Sequence, residues 1–118
     1  MRGDKRFYCW SKCSTCRDAR LALRQSGIGF VERDFFREPL TESEIRKLCA
    51  LTTVDSIFSW NSPSAREYRE RRQDITDDEL IGLMLVEPRL IRRPLLVQGD
   101  EIIIGFRRAE YRRLGGAG

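Results

Sequence analysis

Two cysteines separated by two residues are the part of this 118-residue sequence best suited to chemistry. Cys13 and Cys16 follow a short aromatic segment and open a helical pattern. One helical turn brings side chains at this spacing close enough for a disulfide bond. The first cysteine would then lie at the helix N-terminus, where unpaired N–H groups and the helix dipole stabilise a thiolate. Cys13 is therefore the expected attacking thiol, and Cys16 the expected resolving thiol.

The groups that could activate this thiol are few, because the sequence contains no histidine. The absence of histidine excludes Cys–His dyads, Ser–His–Asp triads and mixed Cys/His zinc sites. A helix terminus or an arginine must therefore activate the nucleophile. Arg17 directly follows the cysteine pair and adds a positive charge nearby.

The same cysteine spacing also occurs in zinc sites, so a metal is the first alternative. A four-thiolate site would have to recruit Cys9 and Cys49. Cys9 falls in a predicted strand and Cys49 on the apolar face of a predicted helix, where each is more simply a buried core residue. With no second CxxC motif, a redox dithiol is favoured over a zinc site or an inert structural pair, and no metal is expected.

The cysteine pair is expected at the junction of a strand and a helix. Residues 6–10 are short and aromatic and predict the first strand. The helical pattern runs over residues 14–26 and stops at Gly27, and residues 28–32 predict a second strand. The chain therefore begins with a strand–helix–strand unit that has a right-handed crossover.

The middle of the chain is predicted to be helical. Thr41 with Glu44, and Thr76 with Glu79, have the spacing of capping boxes, and each is followed by apolar residues on one helical face. Residues 53–73 are less regular.

The end of the chain changes to a strand pattern. Aliphatic runs at residues 94–97 and 102–104 flank a Gly99-Asp100 hairpin signal, and a last helix is expected over residues 108–114. The order predicts an α/β fold of the thioredoxin-like (glutaredoxin-like) type. In it a mixed four-stranded sheet carries a helical insertion between strands 2 and 3.

One domain is expected over residues 1–118, with the insertion at about 38–90 and a flexible tail at 115–118. Thioredoxin-like folds place a cis-proline beside the active thiol, which makes Pro94, at the start of the third strand, the candidate.

The composition predicts a globular protein, since 41% of the residues are hydrophobic and 34% charged. No apolar run approaches the roughly 20 residues that cross a bilayer, and no charged-then-apolar leader opens the chain, so a cytoplasmic location is expected. The formal charge is +4, but acidic residues are interleaved with the arginines throughout. Neither a membrane nor a nucleic acid is therefore an expected partner.

Three segments of the sequence resemble the arsenate reductase-like family, which includes the redox regulator Spx. Residues 8–17 read Tyr-Cys-Trp-Ser-Lys-Cys-Ser-Thr-Cys-Arg. Residues 90–94 read Leu-Ile-Arg-Arg-Pro, and residues 104–106 read Ile-Gly-Phe. The resemblance extends from Arg6 to about Leu114 and implies a thioredoxin-like core with a helical insertion.

The resemblance implies roles for individual residues. In the glutaredoxin-coupled arsenate reductases a cysteine attacks arsenate and arginines hold the oxyanion. By motif, the cysteine is Cys13 and the arginine before the proline is Arg93. Arg107 is similar to a third family arginine, and Arg17 lies beside the nucleophile. The planar guanidinium of arginine suits the oxygens of a phosphate-like anion.

The sequence departs from the arsenate reductases at two points. The family often carries an Asn-Thr-Arg-like segment whose arginine completes the anion site, whereas residues 59–64 read Ser-Trp-Asn-Ser-Pro-Ser with Asn61 near that place. The reductases also need only the first cysteine. The complete cysteine pair is closer to Spx, and the ending from Ile104 to Leu114 resembles that of Spx as well.

The expected function is a thiol-dependent oxidoreductase that acts on arsenate or on disulfide partners. Glutathione, glutaredoxin or thioredoxin would reduce it, and no bound cofactor is expected. The alternative is an Spx-like redox-sensing transcriptional regulator that binds RNA polymerase and uses Cys13 and Cys16 as a switch. A family member that has lost its activity and only binds a partner is a third interpretation.

Overall fold

The structure is a computed structural model that describes residues 5–115. Four short strands form one mixed sheet: β1 (Lys5–Cys9), β2 (Val31–Asp34), β3 (Leu95–Gln98) and β4 (Glu101–Ile104). The strand order is β2–β1–β3–β4, with β1 parallel to β2, β1 antiparallel to β3, and β3 antiparallel to β4. The predicted mixed four-stranded α/β sheet is confirmed.

Helices follow the first strand, fill the connection between β2 and β3, and end the chain. The α-helices are α1 (Ser14–Gln25), α2 (Glu42–Ala50), α3 (Val54–Ile57), α4 (Arg66–Arg69), α5 (Asp77–Val86) and α6 (Arg108–Gly115). Three 3₁₀ turns complete the connection between the second and third strands, at Pro63–Ala65, Arg72–Asp74 and Pro88–Leu90. The irregular stretch expected over residues 53–73 is thus a series of short helical turns.

The chain divides into two compact units. We call residues 1–38 and 93–118 the sheet unit, and Pro39–Arg92 the insertion unit. The insertion unit covers the range where a helical insertion is expected, and the folding of the whole chain as one domain stays a prediction. Of the tail expected at residues 115–118, only Gly115, the last residue of α6, falls within the described residues.

Both predicted capping boxes are confirmed in the insertion unit. The N–H of Glu44 donates to the Thr41 hydroxyl at 3.1 Å, and the Thr41 N–H donates back to the Glu44 carboxylate at 2.9 Å. Thr76 and Glu79 make the same pair of bonds at 3.1 and 2.8 Å. Each box satisfies N–H groups that a helix start leaves without partners, which fixes where α2 and α5 begin.

The second strand begins three residues later than its pattern predicts. Gly27 has a φ of +71° and, as predicted, stops α1, while the N–H of Ile28 donates back into the last helical turn at 3.1 Å. Pairing with β1 then begins only at Val31. The expected strand start at Ile28 was therefore wrong, because the apolar pattern at Ile28 and Phe30 reflects packing against the core and not strand pairing.

The predicted hairpin is confirmed, with Gly99 at a φ of +60° between β3 and β4. One cluster of buried side chains, the sheet-unit core, joins the sheet to α1 and α6. Its fully buried members are Phe7, Cys9, Cys16, Ala19, Leu23, Leu96, Ile103 and Tyr111. Among the described residues, no helix is long and apolar enough to cross a membrane.

Candidate thiol site

Cys13 occupies the N-cap position of α1, which confirms its expected place at a helix N-terminus. Its backbone is extended, with φ −100° and ψ 118°, and its sulfur accepts the N–H of Cys16 at 3.3 Å. Its own N–H donates to the Trp10 carbonyl at 3.1 Å and closes the turn that leads out of β1. Cys13 is half-buried, so a sulfur aligned with the helix N–H groups remains within reach of solvent.

Cys16 lies one turn further along α1 and is fully buried in the sheet-unit core. Burial raises the pKa of its thiol strongly, and a hydrogen bond with Cys13 raises it further, while a hydrogen bond with the Trp10 backbone opposes the shift. All four cysteines are free thiols in the structure. The two members of the pair therefore differ in access, and burial makes the Cys16 thiol hard to ionise, as expected for a resolving thiol.

Arg93 is held over an aromatic pair next to the cysteine turn. The rings of Trp10 and Phe36 are stacked, with centroids 4.1 Å apart and planes inclined by 16°. The guanidinium carbon of Arg93 lies 5.3 Å from each ring centroid. The peptide bond between Arg93 and Pro94 is cis, and Pro94 is buried. Trp10 thus links the backbone of Cys13 to the guanidinium of Arg93.

The other two candidate arginines lie at helix starts. Arg17 is exposed in the first turn of α1, and its N–H donates to the Cys13 carbonyl at 3.0 Å. Arg107 is also exposed, and its carbonyl accepts the N–H of Tyr111 at 2.9 Å, which begins α6. The structure therefore joins Arg93 and Arg17 to the cysteine turn, and Arg107 to α6.

Cys9 has charged partners that the sequence analysis missed. Its thiol donates to a Glu32 carboxylate oxygen at 3.3 Å and accepts a hydrogen bond from Arg20 at 3.4 Å. Arg20 and Glu32 form an ion pair at 2.9 Å. Burial, the largest cause, raises the pKa of Cys9 to about 12. The sequence contains one signal for these contacts. Arg20 lies four residues after Cys16 and hence on the same helical face.

Tyr111 is the second residue that the sequence analysis missed. Its side chain is only 3% exposed, and its hydroxyl has no hydrogen-bond partner within residues 5–115. Burial raises the pKa of Tyr111, and the charges that Cys16 and Cys9 carry when ionised raise it further. A buried hydroxyl without a partner was not predictable from sequence, because α6 meets α1 only in the folded chain.

Comparison with known proteins gives a family match. Residues 8–114 match the ArsC family. The chain belongs to this family. It is 32% identical over 110 residues to the regulatory protein MgsR of Bacillus subtilis, covering 92% of this chain and 87% of MgsR. It is also 32% identical over 109 residues to the global transcriptional regulator Spx of the same species, covering 91% and 83% of the two chains.

Solved structures give the same family resemblance. A possible arsenate reductase from Streptococcus mutans has a TM-score of 0.74 and 30% identity, with 87% of this chain and 91% of that chain covered. An ArsC family related protein from Bacteroides fragilis has a TM-score of 0.82 at 24% identity, covering 93% and 96%, and it supports the fold alone. The thioredoxin-like fold expected from the sequence is confirmed.

In this ArsC family member, the segment around Asn61 is fixed by internal bonds. Arg69 donates to the carbonyls of Trp60 and Ser62 at 2.6 and 2.9 Å. Arg72 lies 4.6 Å over the Trp60 ring and pairs with Asp55 at 2.7 Å. These guanidinium groups therefore stabilise the fold of the insertion unit around Asn61.

A cavity of about 490 Å³ opens beside this segment, and its wall carries the Asp55–Arg72 ion pair, Trp60, Asn61 and the exposed Arg92. The Trp60 indole N–H donates to Asp55 at 3.1 Å, and the hydrogen bond from Arg72 lowers the pKa of that carboxyl. In this wall the charge of Asp55 is offset by that of Arg72.

The fourth thiol, Cys49, is buried on α2, as its place on an apolar face predicts. Burial and the nearby Asp77 raise its pKa to about 11. Within residues 5–115, no group of three or more His, Cys, Asp and Glu side chains could hold a metal ion. Cys9 and Cys49 are buried thiols, each in its own unit.

Proposed function

We propose that this ArsC family protein is a thiol-dependent oxidoreductase with Cys13 as nucleophile and Cys16 as resolving thiol. The observation that carries the proposal is the N-cap geometry, in which the half-buried Cys13 sulfur accepts the N–H of the fully buried Cys16 at 3.3 Å. Helix N–H groups aligned on the sulfur stabilise the thiolate that attacks. The buried second thiol is kept from competing for the substrate.

The proposed reaction is thiol–disulfide exchange. The Cys13 thiolate attacks one sulfur of a disulfide, forms a mixed disulfide and expels the other half as a thiolate. Cys16 then attacks the Cys13 sulfur and forms the Cys13–Cys16 disulfide, which releases the second thiolate. The substrate is reduced by two electrons and the protein is oxidised by two. Glutathione, glutaredoxin or thioredoxin would return the protein to its dithiol form.

Disulfides are the substrate class that we favour, and arsenate is the alternative for the same nucleophile. Arg93, Arg17 and Arg107 are the proposed oxyanion-binding residues. Arg93 is the strongest of these, because its guanidinium is held over Trp10 and Phe36 beside the cysteine turn. Asn61, which lacks the charge of arginine, weakens the case for arsenate.

The enzyme proposal is tested by mixing the fully reduced protein with oxidised glutathione and following each cysteine by mass spectrometry. We expect a Cys13 mixed disulfide followed by the Cys13–Cys16 disulfide. Cys13→Ser should reduce both to the buffer background, while Cys49→Ser serves as the control that keeps the reaction. Turnover without Cys13, or no Cys13–Cys16 disulfide in the unaltered protein, would contradict the proposal.

Arsenate is tested in a coupled assay with glutaredoxin, glutathione reductase and NADPH. Arsenate-dependent NADPH oxidation that disappears in Cys13→Ser and falls in Arg93→Ala would extend the substrate range to arsenate. No arsenate-dependent oxidation, together with active disulfide exchange, would restrict the function to disulfides.

The second candidate function is a redox-sensing transcriptional regulator of the Spx type. It is favoured by the similarity over most of the chain to MgsR and Spx, which are named as regulators. The same Cys13–Cys16 exchange would then act as a switch, and RNA polymerase is the partner that the Spx resemblance implies. Binding to purified RNA polymerase α subunit that differs between the dithiol and disulfide forms would support it. Equal or absent binding in both forms would reject it.

A further inference from the structure

The sheet-unit core contains a hydroxyl that no contact among residues 5–115 explains. Tyr111 is 3% exposed, and its hydroxyl lacks a hydrogen-bond partner among residues 5–115. Leaving such a group unpaired is destabilising, whereas phenylalanine would fill the same space without that cost. The hydroxyl therefore points to a state of the protein in which it acquires a partner.

The Tyr111 side chain lies in the sheet-unit core. Its ring meets that of Phe106 edge-on, with centroids 5.1 Å apart and planes inclined by 71°. The backbone N–H at the same position is bonded to the Arg107 carbonyl at 2.9 Å. The ring belongs to the same core cluster as Cys9 and Cys16. Its hydroxyl is thus confined to the interior that holds the two buried thiols.

Among the described residues, Cys9 has a charged hydrogen-bond donor and Cys16 has none. The Cys9 sulfur already accepts a hydrogen bond from Arg20 and donates to Glu32. For Cys16, full burial raises the pKa of the thiol and a hydrogen bond with the Trp10 backbone lowers it. The pKa of Tyr111 is raised by burial and by thiolate charge at Cys16 and Cys9, so the phenol keeps its proton and remains a donor.

We propose that Tyr111 takes part in the resolving step, its O–H donating a hydrogen bond to the Cys16 sulfur as that sulfur becomes a thiolate. This inference rests on the proposed thiol–disulfide exchange. A hydrogen bond to a charged group is stronger than one to a neutral group, so the hydroxyl stabilises Cys16 when it reacts and gains little from the resting thiol.

The resolving step starts from a mixed disulfide between Cys13 and glutathione. Cys16 loses its proton to solvent, and its sulfur attacks the Cys13 sulfur. A sulfur–sulfur bond forms between the two cysteines, the bond between Cys13 and glutathione breaks, and glutathione leaves with the electron pair and takes up a proton. Tyr111 keeps its own proton and exchanges no atom or electron.

Other titratable groups also face Cys16. Cys13 lies at the start of α1, and Cys9 lies on β1 with Arg20 of α1 and Glu32 of β2 as its partners. All of these groups are the same in the unaltered protein and in a Tyr111→Phe variant. A comparison of the two pH profiles therefore isolates the hydroxyl.

The test is acid-quenched mass spectrometry of the reduced protein mixed with oxidised glutathione, between pH 6 and 10. In Tyr111→Phe we expect conversion of the mixed disulfide to the Cys13–Cys16 disulfide to slow by about tenfold or more, the loss for one hydrogen bond to a charged group. Because burial keeps the Cys16 pKa high, conversion should still be rising with pH across this range, and the pH at which a given rate is reached should be about one unit higher in the variant. Melting temperature should stay equal or rise, because an unpaired oxygen is removed.

Two controls separate this effect from a structural one. Tyr8→Phe removes the hydroxyl of another buried tyrosine of the sheet unit and should leave conversion unchanged. In a Cys16→Ser background, Tyr111→Phe should not alter the first attack by Cys13. An unchanged conversion rate and pH profile in Tyr111→Phe, or equal slowing by Tyr8→Phe, would overturn the inference. Absence of the Cys13–Cys16 disulfide in the unaltered protein would contradict the proposed function instead, and this inference with it.

Discussion

The sheet unit and the insertion unit both contain arginines, tryptophan and cysteine, but these side chains make different contacts in the two units. In the sheet unit, Arg93 lies over Trp10 and Phe36 and is only half-buried. In the insertion unit, Arg72 also lies over a tryptophan, Trp60, yet it is bound by Asp55 at 2.7 Å. An arginine therefore lies over a tryptophan in both units. In the sheet unit this contact is next to the cysteine turn, and in the insertion unit the arginine also forms an ion pair.

The cysteines of the two units differ in the same way. Cys13 caps a helix and remains partly exposed, whereas Cys49 is buried on α2, and burial raises its pKa, with a smaller contribution from Asp77. An anion would meet helix N–H groups near Cys13 and carboxylates near Cys49. The comparison supports the proposed thiol chemistry in the sheet unit, whereas the charged groups described in the insertion unit bond to one another and to its backbone.

The largest expected effect comes from removing the resolving thiol. Because Cys16 is fully buried one turn from Cys13, Cys16→Ser should leave the first attack intact and stop the reaction at the mixed disulfide. Oxidised glutathione should then label Cys13 with one glutathione, and mass spectrometry would show that adduct persisting. Cys49→Ser, a matched change of the buried thiol in the insertion unit, should still form the internal disulfide. A Cys16→Ser protein that releases glutathione at the normal rate would contradict the division of labour.

An intermediate effect is expected on stability at alkaline pH. The pKa of Cys9 is raised from 9.0 to about 12 and that of Cys49 from 9.0 to about 11. The unfolded chain ionises first, so the free energy of unfolding is fully retained below pH 9 and falls as the pH rises toward the folded pKa values. Each thiol gives a slope of up to about 1.4 kcal/mol per pH unit. Urea unfolding at pH values from 8 to 10.5 measures this slope in the free energy of unfolding.

Two variants show which unit contributes to the fall in the free energy of unfolding with pH. Cys49→Ala should make the decline between pH 9 and 11 shallower, and Cys9→Ala should do so for the sheet unit. A slope that neither variant changes would show that Cys9 and Cys49 do not set the alkaline stability.

The smallest expected effect comes from the ion pair of the insertion unit. Asp55→Asn removes the charge that binds Arg72, and since both side chains are about half exposed the melting temperature should fall by a few degrees at most. Exchange with oxidised glutathione should not change. Glu42→Gln, which weakens the exposed Arg46 pair in the same unit, is the matched control. A changed exchange rate in Asp55→Asn alone would show that the insertion unit takes part in the chemistry.

Features set by near neighbours in the chain were predictable from the sequence. The Thr41–Glu44 and Thr76–Glu79 caps, the stop at Gly27 and the position of Cys13 at a helix start each depend on residues within one helical turn. The hairpin at Gly99 depends on similarly local turn geometry. Such features follow from local backbone chemistry, whatever the rest of the chain does.

Features that depend on contacts between distant residues were not predictable. The start of β2 was set by pairing with β1, and an apolar pattern at Ile28 gave no information on that register. The Cys9 partners Arg20 and Glu32 come from α1 and β2, and the interior position of Tyr111 follows from the docking of α6. A buried polar group is recognised only when its neighbours are known, which is why the sequence pointed to two thiols and missed their polar surroundings.

The most direct test of the account is time-resolved alkylation of the reduced protein with iodoacetamide at pH 7.5, each cysteine being followed by peptide mass spectrometry. Cys13 should react first and alone, because Cys9, Cys16 and Cys49 are buried and their pKa values are raised. Denatured protein, in which all four cysteines react at comparable rates, is the reference. Modification of Cys13 no faster than of Cys9 or Cys49 in the folded protein would contradict the central claim.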